Sequence, residues 1–179
     1  MLIGGVDINP ALTHAPLSGL VPHAAPELQV SSDLASVPNL SKASVAIICT
    51  SSKLSVIEPT ILGCLELGLH VVSSCEELLY PWKRSPVLSA RIDEAAKRAH
   101  RAVLGTGINP GFLMDYLPSV LTGLCTQVDK IEVERVQNAT PRRLPFQLKI
   151  GSGLSVEEFK DRVAKRTIGH MGLAESIEL

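Results

Sequence analysis

The feature that most constrains this chain is an alternation of short apolar runs with amphipathic segments between residues 43 and 105. Ala43–Cys49 is apolar over the length of a strand and is closed by the small polar residues Thr50, Ser51 and Ser52. From about Val56 to Leu67, Ile57, Ile61, Leu62 and Leu65 share one helical stripe, and Gly68 stands where a helix C-cap is expected. The cycle repeats with Leu69–Ser73 as a strand, a loop at Ser74–Glu77, a Pro/Trp interruption, a helix over Val87–His100 and a strand over Ala102–Gly105. Strand and helix alternating at this spacing predict an α/β fold, a Rossmann-like parallel sheet covered by helices. Such a sheet carries its ligands at the carboxyl ends of its strands, where Cys49–Ser52, Ser74–Glu77 and Thr106–Gly111 fall together.

The flanks read differently. Leu2–Asp7 is an apolar stretch ending in an acid, and five of the twelve prolines follow between Pro10 and Pro38, which predicts a strand and then a long loop. After Gly111 comes an apolar helix containing Pro118, then Lys130–Val136, whose alternating apolar residues predict a strand with one wet face. Ser155-Val-Glu-Glu158 is a capping box and opens a helix to about Arg166. The change of texture divides the chain into a dinucleotide-binding domain over 1–110 and part of an α+β substrate domain over 111–179.

Composition narrows the functional classes. With 17 basic and 18 acidic residues and a net charge of -1, the chain has no field to attract nucleic acid. No apolar run approaches the ~18 residues needed to cross a bilayer. The four cysteines form no C-x-x-C pair and follow no signal peptide, so they read as reduced thiols of a cytoplasmic protein. No residue is assigned to a metal.

Four blocks carry more specific information: Ser73-Ser-Cys-Glu-Glu-Leu-Leu-Tyr-Pro-Trp82, Gly105-Thr-Gly-Ile-Asn-Pro-Gly-Phe112, Arg142–Gly153 and Gly169–Ser176. In these residues, and over nearly its whole length, the chain resembles the 2,4-diaminopentanoate dehydrogenase family, NAD(P)-dependent amine dehydrogenases related to dihydrodipicolinate reductases. The resemblance implies a cofactor, NAD or NADP, and a small amino-acid substrate. The activity it implies is oxidative deamination of a diamino acid such as 2,4-diaminopentanoate. It also implies that Asn109 and Gly111 run beside the nicotinamide at the domain junction. Asn109 can donate to and accept from a carboxamide or a substrate amino-acid group.

The other candidates follow from their positions. Asp7, ending a strand, suits the ribose hydroxyls and leans toward NAD, the competing role being a solvated loop acid. Cys49, Thr50 and Ser51, with Ser74 and Cys75 in the next loop, let backbone approach the cofactor, or merely turn and cap the chain. Glu76, or its neighbour Glu77, can hold a substrate ammonium or act as a base, the competing role being a helix N-terminal acid. His170 is a candidate acid/base because imidazole exchanges protons near neutral pH. Arg142, Arg143 and Lys149 suit a substrate carboxylate, or a solvated strand face.

Two departures from the family matter. A complete member begins with an apolar strand and a G-x-G-x-x-G loop, and Gly4-Gly5, directly before Asp7, cannot replace a loop that lies roughly 20 residues ahead of its acid. The expectation is a chain shortened at its N-terminus, and at its C-terminus too, with an exposed sheet edge that favours a homo-oligomer. The histidine pair and Lys-x-Asp-Ala-Pro-Ser-Gly-type segment of dihydrodipicolinate reductases are missing, which weighs against that reductase activity. A non-catalytic remnant or partner subunit that binds no dinucleotide is the rival from another class.

Overall fold

The computed structural model describes residues 1–165 and 167–179. Gly5–Val6 (β1) and Val30–Ser31 (β2) pair in parallel, Gly5 beside Val30 and Val6 beside Ser31. The second sheet has the order β3 (Val45–Ile48), β4 (His70–Ser73), β5 (Val103–Gly105), each strand beside its successor. Its direction follows from the ladder. The amide of His70 donates to Ser44 O at 2.9 Å and that of Ser74 to Ile48 O at 3.1 Å, so both strands advance four residues together, as only parallel strands do. The crossovers are helices α1 (Leu54–Glu66) and α2 (Pro86–Ala99). The parallel α/β arrangement expected from the alternation is present, each strand and helix within a few residues of its predicted limits.

Local chemistry explains both crossover helices. On α1, Leu54, Ile57, Ile61, Cys64 and Leu65 are all buried, a stripe at helical spacing. It ends in a Schellman turn: Gly68, at φ 74°, donates to Leu65 O, and Leu69 donates to Cys64 O. Helix α2 starts on Pro86, whose fixed φ suits a first helical position, and buries Ser89, Ile92, Ala95 and Ala96. It closes with the same hydrogen-bond pattern, His100 to Lys97 O and Arg101 to Ala96 O, but the left-handed position is held by His100 at φ 55°.

The chain divides into two compact units. The first comprises Met1–Ile47, Pro59–Val72 and Ile92–Val103, and its buried residues include Leu17, Val30, Val37, Leu69 and Val71. The second comprises Ile48–Glu58, Ser73–Arg91 and Leu104–Leu179, and holds α3 (Tyr116–Leu121), α4 (Leu144–Lys149), α5 (Val156–Ala164) and α6 (Leu173–Glu178). The predicted capping box is formed, Ser155 Oγ accepting from the Glu158 amide while Glu158 accepts from the Ser155 amide. Arg166, given as the approximate end of that helix, lies outside the described residues; α5 itself ends at Ala164.

One expected element does not form. Residues 130–139 carry no strand, and Ile131, Val133 and Val136 are 51%, 36% and 88% exposed. An alternating pattern needs both a ladder partner and an apolar layer beneath it, and among the described residues this segment has neither.

Candidate active site

The site lies in the second unit, at the carboxyl ends of β3, β4 and β5, and hydrogen bonds between the three loops hold it in shape. The Ser73 hydroxyl donates to Ile48 O at 2.8 Å and accepts from the Cys75 amide at 3.1 Å. The Thr106 amide donates to Ser73 O. The loop acids divide their work: Glu77 Oε2 accepts from the Leu54 amide at 2.8 Å, capping α1 at its positive end, which leaves Glu76 to face a cleft.

That cleft, of about 430 Å³, is lined from the loops by Ser74, Glu76, Gly107, Ile108, Asn109 and Pro110, and from the later chain by Arg135, Gln137, Arg142, Phe146, Lys149, Ile150, Gly169 and His170. Lys149, on the last turn of α4, reaches Glu76 Oε1 at 3.0 Å and Ser52 Oγ at 3.1 Å. Burial pushes the Glu76 carboxyl up, but hydrogen bonds from Ser52 and Lys149 outweigh it and hold the group below its ordinary range. Glu76 is therefore a carboxylate at neutral pH. Asn109 Oδ1 is buried and meets no hydrogen-bond partner. His170 Nδ1 donates to Met171 O at 2.6 Å, which leaves Nε2 as the ring's acceptor.

The Gly105–Gly111 loop is shaped by close backbone approach. Gly111 sits at φ 120°, and a Cβ there would lie 2.4 Å from Gly107 N. Asp115 secures the loop from below: it is buried, caps α3, and accepts from the Gly111 amide at 2.8 Å, the Tyr116 amide at 2.6 Å and the Ser176 hydroxyl at 2.7 Å. Gly172, at φ 86°, brings the start of α6 against the same loop; a Cβ on it would lie 2.6 Å from Pro110 Cγ and 2.8 Å from Glu76 Cβ.

Comparison with known proteins places this arrangement. Residues 112–179 match the 2,4-diaminopentanoate dehydrogenase C-terminal domain. Over 136 residues the chain is 40% identical to the 2,4-diaminopentanoate dehydrogenase of Acetoanaerobium sticklandii, an alignment that takes in 75% of this chain. Over these residues the chain is similar to the 2,4-diaminopentanoate dehydrogenases. Among solved structures, an amine dehydrogenase from Mycobacterium smegmatis is similar with a TM-score of 0.65 and 29% identity over 72% of this chain. The chain spans 38% of the length of each of these two proteins. In this chain every cleft residue from Arg135 onward lies within the segment that matches the C-terminal domain, and the loop residues precede it.

Of the residues singled out from sequence, Ser74, Glu76, Asn109, Arg142, Lys149 and His170 line the cleft together. The others do not. Asp7 belongs to the first unit, where its amide donates to Ser31 O and its Oδ1 accepts from the Asn9 amide. Cys49 and Thr50 are exposed, and Ser51 Oγ accepts from the Lys53 amide as a local turn. Cys75 is buried, and burial above all raises its thiol to about 11. Gly111 supplies backbone shape, and Arg143 is the N-cap residue of α4, away from the lining. Arg135, Gln137, Phe146, Ile150 and Asp115 were not anticipated. Asp115 was findable as an acid directly before an apolar helix; Arg135 was hidden by reading 130–136 as a strand, and nothing in the local pattern marks Gln137, Phe146 or Ile150.

Proposed function

We propose that this protein serves an NAD(P)-linked oxidoreductase reaction in which the amine of a small diamino acid, such as 2,4-diaminopentanoate, is oxidised to an imine that water hydrolyses to ketone and ammonia. The observation that carries this reading is a carboxylate, Glu76, kept ionised by Ser52 and Lys149 in the cleft that Asn109, with its unpartnered Oδ1, also lines. Glu76 would hold the substrate ammonium and accept its proton, its charge matching the group it receives. Asn109 Oδ1 fits the amide donor of a nicotinamide carboxamide, which would fix the ring's orientation. When bound, the nicotinamide supplies the hydride acceptor. His170 Nε2, the ring's free acceptor on the cleft lining, would exchange a proton with the hydrolytic water.

Asp7, as a ribose-binding acid, supports NAD over NADP. The division at 110/111 is supported by the start of the matched domain at Phe112. The free cysteines suit a reducing compartment such as the cytoplasm, and no helix is long and apolar enough to cross a membrane. A homo-oligomer remains part of the proposal. A second reading, a chain that binds no dinucleotide, is favoured by one feature: these 179 residues contain no G-x-G-x-x-G loop to cradle a pyrophosphate.

Reduced nicotinamide formation, followed by absorbance with a panel of diamino acids and both cofactors, tests the first reading. Turnover of at least one diamino acid is expected, and none across the panel rejects it. Calorimetric titration with NADH and NADPH separates the two readings, since saturable binding removes the second.

A further inference from the structure

The cleft contains two guanidinium groups that the chemistry above does not use. Gln137 Oε1 accepts from Arg135 at 2.6 Å and from Arg142 at 3.5 Å, and all three residues line the cleft. One neutral amide oxygen thus holds two like charges side by side. Among the described residues neither arginine forms an ion pair with a carboxylate. Arg142 is further oriented by stacking over the Phe146 ring, 4.8 Å from its centroid. The lining holds three cations, Arg135, Arg142 and Lys149, against the single carboxylate of Glu76. Lys149 is already taken by that carboxylate, so the positive charge left over sits on the arginine pair.

We propose that Arg135 and Arg142, spaced by Gln137, form the seat for the carboxylate of the substrate, and that Lys149 serves Glu76 instead. Planar guanidiniums grip a carboxylate through paired N–H donors, and a pair without an internal counter-ion has those donors available. The carboxylate end of the ligand is then read by the arginines and its amine end by Glu76, which makes the cleft selective for amino acids over plain amines. That the ligand is a diamino acid rests on the proposed function; the anion seat does not.

The test uses the 179-residue chain labelled with ¹⁵N-arginine and titrated with propionate, with propylammonium as a cationic control, while the arginine Nε–H resonances are followed. Propionate is expected to shift two resonances saturably and propylammonium none. Binding should weaken roughly tenfold or more in Arg135→Gln and in Arg142→Gln. Gln137→Glu should weaken it as much by giving the pair an internal carboxylate, whereas Lys160→Gln, an exposed charge on α5, should leave it unchanged. No saturable shift, or propionate binding unaltered in the arginine variants, overturns the proposal. Propionate binding that depends on the arginines, without turnover of any diamino acid, leaves the seat standing and rejects the dehydrogenase reading. Turnover without arginine-dependent propionate binding does the reverse.

Discussion

Lys149 Nζ stands 3.0 Å from Glu76 Oε1, joining residues 73 positions apart in the sequence. The contact fixes the end of α4 to the loop after β4, and it makes one candidate acid a settled anion. Glu77, its neighbour in the chain, is spent on capping α1.

The first prediction follows from that pair. Glu76 titrates lower in the folded protein than in the unfolded chain, so its stabilisation is complete above the ordinary carboxylate range and is lost as pH falls through its lowered value. Lys149→Met should cost about 1 kcal/mol at neutral pH, a figure discounted for partial exposure. Urea midpoints measured from neutral to acid pH should show the gap between variant and parent closing as Glu76 protonates.

Asp115 gathers three donors from separate parts of the second unit, the amides of Gly111 and Tyr116 and the hydroxyl of Ser176. Asp115→Ala should lower stability by about 1–2 kcal/mol, because three part-buried donors lose their shared acceptor, and Ser176→Ala by about 1 kcal/mol. Chemical unfolding of both variants and of the double variant checks this; the double variant should cost less than the sum, because the two residues share one hydrogen bond.

His100 occupies the left-handed position after α2 that glycine takes after α1. Replacing it by Gly should stabilise the protein by about 0.5–1 kcal/mol, relief of the Cβ clash exceeding the added freedom of the unfolded chain. His100→Ala, which keeps the Cβ, should bring no gain. Thermal unfolding midpoints of the three proteins decide the matter.

The cysteines should divide by environment. Cys49 and Cys125 are exposed, while Cys64 and Cys75 are buried, with thiols raised by burial and Cys75 at about 11. A thiol-exchange reagent at neutral pH should modify the first two rapidly in the native protein and reach the others only on unfolding. Rapid native labelling of Cys75, mapped by mass spectrometry, would contradict its placement.

What was legible in the sequence was local or periodic. Two strands and two helices from Val45 to Ala99, the Gly68 C-cap and the Ser155 capping box depend on spacing and on residues a few positions apart, and all formed close to where the pattern put them. The family resemblance rested on contiguous blocks and was legible for the same reason. The three loops could be assigned to one edge because parallel topology places every strand's carboxyl end on one side. Tertiary structure decided the rest. Glu76 and Glu77 are adjacent acids in identical sequence surroundings, and only Lys149 and the α1 amide, brought from 73 and 23 residues away, give them different roles. Lys130–Val136 carries the alternation of a strand, but alternation records only which side chains prefer burial, and a ladder needs a partner that spacing does not name. In its absence Arg135 and Gln137 turned to the cleft and met Arg142. The sequence by itself determined the parallel scaffold and the edge that bears the site, because these follow from short-range periodicity; which charges face one another there was decided by the fold, because a charge's partner is set by distance in space.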